Sequence, residues 1–109
     1  MARLANAALA IVAIEKVSDY LLNPDNPQNR GKAEFFARFG FGRNDGQRLR
    51  EALLADAADR EMIDIKVTAY GRVVKLRCNL ASPDGRDPCI TSTWQFDLGG
   101  DRPRLLTAI

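Results

Sequence analysis

The 109-residue sequence contains no histidine, and its only two cysteines are Cys78 and Cys89. Histidine is the commonest general acid or base near neutral pH and the commonest metal ligand, so histidine triads and most transition-metal sites are excluded. The cysteines do not have C-x-x-C spacing, which excludes a structural zinc site. We therefore expect a protein without metal or other cofactor.

The sequence also lacks a long hydrophobic run. The most apolar stretch, residues 5–14, is shorter than the ~20 residues that a helix needs to cross a bilayer, and no signal-peptide cleavage site follows it. We expect a cytoplasmic protein that does not bind membranes. A disulfide between Cys78 and Cys89 remains possible if the strand register aligns them, but reduced thiols are the simpler expectation in the cytoplasm.

The composition is that of a globular domain. Hydrophobic residues make up 46% and charged residues 28%, and we expect residues 1–109 to form a single domain. The net charge is only +2, but seven lysines and arginines stand against four aspartates from Lys66 to the end. Such a bias permits an anionic partner without identifying one.

Helical patterns occupy residues 9–60. Residues 9–14 fit either a short edge strand or the approach to a helix, and residues 15–22 form an amphipathic helix that Pro24 ends. After a surface loop at 25–31, a helix over 32–39 turns its phenylalanines toward the core, with Gly40 as its left-handed cap. A third helix begins at Asn44 or Asp45, runs to about Asp59 and buries Leu49, Leu53, Leu54 and Ala57.

Residues 62–109 change to the two-residue alternation of strands. Four strands are predicted at 63–70, 73–80, 88–96 and 104–109, separated by turns at Gly71, Ser82–Gly85 and 98–101. Trp94 is the single tryptophan, and we expect its strand in the middle of the sheet with Ile90, Ser92, Trp94 and Phe96 inward. The predicted fold class is α+β, with N-terminal helices packed on one face of a four-stranded antiparallel β-meander.

The opposite parity of these strands is polar and cationic. A surface of this kind suits a phosphodiester, because arginine and lysine hold phosphate and hydroxyls or amides orient the sugar. Tyr70 or Trp94 would add a stacking surface for bases if exposed. The alternative is an ordinary solvated sheet face. The residues predicted on this face are Lys66, Thr68, Tyr70, Lys75, Arg77, Asn79, Thr91, Thr93, Gln95 and one parity of residues 104–109.

Several landmarks along the chain match a known pattern. The opening NAALAIVAIEKVSDYLLNPDNPQNRGKAEFFARFGF, Tyr70-Gly71, the Pro83–Gly85 turn, Thr93-Trp94 and the ending PRLLTAI together resemble a bacterial family of small domains of unknown function. Members look like the C-terminal domains of polymorphic toxins, with a barnase/EndoU/RelE-like layout. The resemblance implies a two-gene arrangement in which a small protein encoded next to the domain is its antidote or binding partner.

The resemblance also marks candidate residues. Lys32, Thr93, Arg104 and Thr107 occupy landmark positions and are implied as phosphate-holding or acid–base groups. RelE-like nucleases are similar in working with arginine, lysine and tyrosine instead of histidine. Asn26 stands where a histidine often precedes the loop proline in relatives, which implies weakened activity if that histidine is catalytic.

Two functional hypotheses follow. The first is a toxin-like, metal-independent endoribonuclease module, in which Lys32 or Tyr70 takes the proton of the RNA 2′-hydroxyl and Arg77 and Arg104 stabilise the phosphorane. The candidate site is therefore Lys32, Tyr70, Arg77, Thr93, Arg104 and Thr107, with RNA as substrate. The second is a non-catalytic module that binds a small partner protein through its sheet.

Overall fold

Helices come first and strands afterwards in the computed structural model, which describes residues 3–109. The strands form one antiparallel sheet in chain order, so the predicted α+β meander is confirmed. The elements are a 3-10 helix Ala7–Leu9, a π-helix Lys16–Leu21, α1 Lys32–Arg38, α2 Gly46–Asp59, β1 Glu61–Thr68, β2 Gly71–Arg77, β3 Thr91–Asp97 and β4 Pro103–Ala108.

The core lies between the helices and one face of the sheet, centred on Trp94. This side chain is fully buried in the interior strand β3, and its indole Nε1 donates a hydrogen bond to Ser92 Oγ at 2.9 Å. This hydrogen bond stabilises the fold, because burying an indole N–H without an acceptor lowers the free energy of unfolding. The predicted inward residues Ile90, Ser92, Trp94 and Phe96 are all buried.

Helices α1 and α2 lie close to their predicted positions. Phe36 of α1 is fully buried, and Gly40 follows this helix at φ 100°, as the cap prediction requires. Leu49, Leu53 and Ala57 of α2 are fully buried. Asp45 does precede α2, but its Oδ2 accepts from the backbone N–H of Gly42 at 2.7 Å instead of capping the helix.

Within residues 3–109, no helix has the length and apolarity to cross a membrane.

The N-terminal segment combines features of both predicted forms, since it bridges to the edge of the sheet and leads into a helix. Residue 11 makes an isolated parallel bridge to β4, in which its N–H donates to Pro103 O at 2.8 Å and its carbonyl accepts from Leu105 N–H at 2.9 Å. The predicted helix at 15–22 is wound as a π-helix, with Leu22 N–H donating to Val17 O at 2.8 Å. Together these segments cover the outer edge of β4.

Cys78 and Cys89 are joined by a disulfide. The expectation of two reduced thiols is therefore wrong for this structure. The bond forms just beyond the end of the β2–β3 ladder, whose last pair is Arg77 and Thr91. An unbroken register would place Cys78 opposite Ile90, so the approach of Cys78 and Cys89, with Cα atoms 4.3 Å apart, depends on the irregular chain past the strand ends.

Strand β1 is less covered than its alternation predicts. Its apolar parity was expected under the helices, yet Ile63, Ile65 and Val67 are 53%, 47% and 78% exposed. The register also shifts between Met62 and Asp64, which breaks the alternation. The reason for the exposure is position: β1 is the far edge strand, and the buried side chains of the sheet belong to β2, β3 and β4.

Candidate functional site

The sheet face away from the helices carries polar side chains in rows across the strands. In the central row, Lys75 of β2 lies opposite Thr93 of β3, which lies opposite Thr107 of β4. On either side of this row are the pairs Arg77–Thr91 and Gln95–Arg104. Paired residues on neighbouring strands point to the same face. We call this surface the open face; it comprises Glu61, Asp64, Lys66, Val73, Lys75, Arg77, Thr91, Thr93, Gln95, Asp97, Arg104 and Thr107.

A hydroxyl and ammonium cluster lies at the β4 side of the open face. The hydroxyls of Tyr20 and Thr107 are 3.0 Å apart, and Thr107 pairs across the sheet with Thr93. The ammonium nitrogens of Lys16 and Lys32 lie 5.5 and 5.8 Å from the centre of the Tyr20 ring. The structure therefore brings together three of the predicted site residues, Lys32, Thr93 and Thr107. We call Lys16, Tyr20, Lys32, Thr93 and Thr107 the Tyr20 cluster.

Buried Asn29 holds the two helical parts of this cluster together. Its side-chain amide donates to the backbone carbonyls of Tyr20 and Leu21, the latter at 3.0 Å, and its Oδ1 accepts from Ala33 N–H at 2.9 Å. The same side chain thus satisfies the end of the π-helix and the start of α1. Because Lys32 is the first residue of α1, this bridge fixes its position beside Tyr20.

Arg104 is held by an ion pair at the next row of the open face. Its Nε lies 3.0 Å from Asp97 Oδ2 and its Nη2 lies 3.0 Å from Asp97 Oδ1. Hydrogen bonds from Arg104, and then from Gln95, lower the pKa of Asp97, and the bond to Asp97 raises the pKa of Arg104. Among residues 3–109, no hydrogen bond uses Nη1 of Arg104, so the guanidinium retains donors for an anion.

Tyr70 and Arg77 lie apart from the Tyr20 cluster, at opposite ends of β2. Arg77 is exposed one row from Lys75, whereas Tyr70 is 77% exposed at the β1–β2 turn. Gly71 begins β2 four residues before Lys75, which places the turn roughly 13 Å from the central row. Trp94 is fully buried, so the suggestion that it stacks on a base is wrong.

A cavity of about 460 Å³ opens beside the cluster, in the size range of small-ligand sites. Tyr20 and Lys16 belong both to the cluster and to the wall of this cavity. The cavity therefore continues the candidate site beyond the edge of the sheet. Its lining residues are Ala13, Glu15, Lys16, Asp19, Tyr20, Asn26, Gln28 and Leu106.

The family model for DUF6883, a domain of unknown function, matches residues 3–109. The chain belongs to this family. The predicted membership in a domain family of unknown function is thereby confirmed. No curated protein matches the sequence.

Among solved structures, the DUF6883 domain is similar to a chain of the contact-dependent growth inhibition toxin–immunity protein complex from Klebsiella pneumoniae 342. The TM-score is 0.73 at 21% sequence identity, and the match covers 94% of each chain. At this level of identity the likeness shows a shared fold.

Sequence reasoning missed two members of the Tyr20 cluster in the DUF6883 domain. Both residues lie in the predicted amphipathic helix at 15–22, and the sequence assigned no functional role to either of them. One signal was present, because a tyrosine on an otherwise apolar helix face needs a partner for its hydroxyl. The identity of that partner, Thr107, depends on how the π-helix packs against β4 and was not readable from the sequence.

The chemistry of the cluster is that of an anion site. Two lysines and three hydroxyls converge at the β4 edge of the sheet. The carboxylates of the open face are Asp97 at the end of β3 and, on the far strand β1, Glu61 and Asp64, which lie opposite Arg77 and Lys75. Ammonium groups and hydroxyl donors stabilise phosphate oxygens, and a phenol and an amine can exchange protons with a substrate.

Proposed function

We propose that the DUF6883 domain is a toxin-like, metal-independent endoribonuclease module, partnered by a small inhibitor protein from a two-gene system. The observation that carries this proposal is the Tyr20 cluster on a cationic sheet face. Its hydroxyl distance of 3.0 Å and its two flanking lysines provide proton-transfer groups beside phosphate-binding groups.

In this proposal the RNA strand runs across the open face. The hydroxyls of Thr93 and Thr107 donate to the non-bridging oxygens of the scissile phosphate, and Lys16 offsets its charge. Arg77 and Arg104, one row away on either side, hold the neighbouring phosphates and stabilise the phosphorane. Tyr70, exposed at the turn, offers a stacking surface to a base farther along the strand.

The reaction is attack of the ribose 2′-hydroxyl on its own 3′-phosphate. Lys32 takes the 2′ proton as the bond from O2′ to phosphorus forms. The bond from phosphorus to O5′ breaks, and the Tyr20 phenol gives its proton to the leaving oxygen. The products are a 2′,3′-cyclic phosphate and a 5′-hydroxyl. Of the two candidate bases, Lys32 and Tyr70, the geometry favours Lys32 because it lies within the cluster.

A protein inhibitor is supported by the structural comparison. The similar fold occurs in a complex of a contact-dependent growth inhibition toxin and an immunity protein. In the proposal, the small partner protein covers the open face and thereby blocks access of RNA to the Tyr20 cluster.

Induced expression without the partner gene tests this function, with growth and the integrity of total RNA followed over an hour. We expect growth arrest and RNA fragments that end in 2′,3′-cyclic phosphate. Lys32→Met and Tyr20→Phe should each slow cleavage by purified protein about 10²–10⁴-fold, the usual contribution of an acid or base, and EDTA should have no effect. Tyr70→Phe, which retains the ring, should cleave within about 3-fold of the wild type.

The outcomes separate the roles. If Tyr70→Phe abolishes cleavage while Tyr20→Phe does not, the Tyr70 hydroxyl at the β1–β2 turn transfers the proton, and the assignment of this role to the Tyr20 cluster is wrong. Intact RNA and normal growth with a folded wild-type chain would contradict the nuclease function itself.

A second candidate function is a non-catalytic module that binds a small protein through the sheet. Strand β1 favours it, because its outer edge beyond Glu61 has no strand partner within residues 3–109 and its apolar side chains are exposed. Free edges and exposed apolar side chains are typical of strand-addition interfaces. Unimpaired growth together with stable binding of the neighbouring gene product would favour this function.

A further inference from the structure

The cavity beside Thr107 combines groups of three kinds. Ala13 and Leu106 supply apolar surface, and the Tyr20 ring forms part of the wall. Lys16 supplies a donor, whereas Glu15 and Asp19, on one face of the same helical segment, supply carboxylate acceptors. An aromatic ring and apolar side chains that meet a few converging polar groups in a concave surface are typical of a small-ligand site.

The two carboxylates of this cavity have no ion-pair or hydrogen-bond partner among the described residues. Within residues 3–109, neither Glu15 nor Asp19 takes part in an ion pair or accepts a hydrogen bond through its side chain, although the backbone carbonyl of Asp19 does accept from Asn26 Nδ2 at 2.8 Å. The Asn26 side chain is committed to the loop, because its Oδ1 also accepts from Gln28 N–H at 2.9 Å. The groups available to a ligand are thus two acceptors and the Lys16 ammonium.

We infer that this cavity binds the guanine base of a nucleotide that flanks the scissile phosphate; the inference rests on the proposed nuclease function. Guanine presents two adjacent donors, N1–H and the N2 amino group, beside the acceptor O6. A carboxylate of Asp19 or Glu15 accepts from the donors, while Lys16 donates to O6. Uracil presents its single donor, N3–H, between two acceptors that the carboxylates repel, and adenine and cytosine present only one donor group.

The position of the cavity supports this assignment. Tyr20 contributes its ring to the cavity wall and its hydroxyl to the contact with Thr107 at 3.0 Å. A base in the cavity therefore lies within one nucleotide of a phosphate on the Thr93–Thr107 row. Base recognition and proton transfer share the same residue, so binding of the correct base also positions the reacting phosphate.

The test maps cleavage sites of the full chain on a random-sequence RNA pool, with the ends of the fragments sequenced. We expect guanine to be enriched about 10-fold or more at one of the two positions that flank the cut. Asp19→Asn and Glu15→Gln should each reduce the enrichment of guanine at least several-fold, whereas cleavage at the other bases should be retained. Glu51→Gln, an exposed carboxylate on α2, is the matched control and should keep the wild-type preference.

Cleavage without base preference, or a preference that neither variant changes, overturns the inference but leaves the nuclease function standing. If the wild-type chain does not cleave RNA at all, the nuclease function fails and base recognition is decided by nuclear magnetic resonance titration with the four nucleoside monophosphates. Guanosine monophosphate should then shift the resonances of Tyr20 and Asp19 at concentrations about 10-fold lower than the others do. Equal shifts with all four overturn the inference.

Discussion

At the scale of single residues, Asp56 is the most unusual charged group in the described chain. Its side chain is nearly inaccessible to solvent, its Oδ1 accepts from Arg60 Nε at 3.0 Å, and its Oδ2 is buried without a partner within residues 3–109. Burial raises the pKa of Asp56 to about 6, although the neighbouring Arg60 lowers it. Arg60 in turn donates to the carbonyl of Asn79 at 2.9 Å, so this pair ties the end of α2 to the segment after β2.

Replacement of Asp56 by asparagine should change how stability depends on pH. The pKa in the folded state, about 6, is higher than the ordinary value of 3.8, so the folded state binds the proton more tightly than the unfolded chain. The stabilisation from protonation is present below pH ~4 and is lost as the pH rises through about 6. The free energy of unfolding of Asp56→Asn, relative to that of the wild type, should increase by up to about 3 kcal/mol from pH 4 to pH 7.5, as measured by urea unfolding.

Glu51→Gln is the control for this measurement, because Glu51 is an exposed carboxylate on the same helix. Its stability relative to the wild type should change little over the same pH range. A stability difference between Asp56→Asn and the wild type that stays constant from pH 4 to pH 7.5 would contradict the proposed cost of burying this carboxylate.

At the scale of elements, the connection between β2 and β3 stabilises the end of the open face. It turns at Ser82–Gly85, where Gly85 N–H donates to Ser82 O at 3.0 Å, as the turn prediction required. The disulfide closes this connection over a sequence separation of 11 residues. It lies next to the Arg77–Thr91 row, so it restrains the spacing of the two strands where the proposed RNA path leaves the sheet.

Removal of this cross-link should destabilise the domain. By the chain-entropy relation, a loop of this length contributes about 3 kcal/mol. Cys78→Ser with Cys89→Ser should therefore lower the free energy of unfolding by about that amount in oxidising buffer. In buffer with a thiol reductant, the wild type and the double variant should unfold at the same urea concentration. A difference that persists after reduction would mean that the serines, and not the missing bond, cause the loss.

At the scale of the whole molecule, charge is distributed unevenly although the net charge is only +2. The open face carries Lys66, Lys75, Arg77 and Arg104, and Lys16 and Lys32 lie at its β4 edge; the carboxylates of the face are Glu61, Asp64 and Asp97. A surface with this excess of cations attracts a polyanion. Its binding weakens as the salt concentration rises, because the release of counterions from the polyanion then becomes less favourable.

Binding of single-stranded RNA to a cleavage-deficient Tyr20→Phe chain should therefore depend steeply on salt. If four phosphates are contacted, a plot of log K against log salt concentration has a slope of about −3. Arg77→Ala should make this slope shallower by about 0.7, whereas Arg48→Ala, an exposed arginine on α2, should leave it unchanged. A slope near zero for the parent chain would show that the open face does not bind RNA through its phosphates.

Much of the fold was predictable because its signals are local. The change of period near Met62, the left-handed glycine at Gly40 and the turn at Ser82–Gly85 each depend on neighbouring residues only, and the structure agrees with them. The burial of Trp94 in the central strand was predicted correctly, because the most favourable environment for so large an apolar side chain in an alternating strand is the core. The boundaries of the strands moved by up to three residues, since pairing decides where a ladder ends.

The candidate site was only partly predictable. Strand parity alone puts Lys75 and Thr93 on the open face. Arg104 and Thr107 have opposite parity and share this face only because the β3–β4 register shifts between Thr93 and Trp94. Tyr20 could not be joined to Thr107 from the sequence, because 87 residues separate them and only the packing of the π-helix against β4 brings them together.

The sequence by itself thus determined the α+β order, the central strand and the polar face, because periodicity and turn chemistry act over a few residues. The tertiary structure alone decided three other features: the disulfide, the exposure of β1 and the Tyr20 cluster. Each depends on the register of strands or on how far the helices extend over the sheet, and these are set by packing between residues that are distant in the chain.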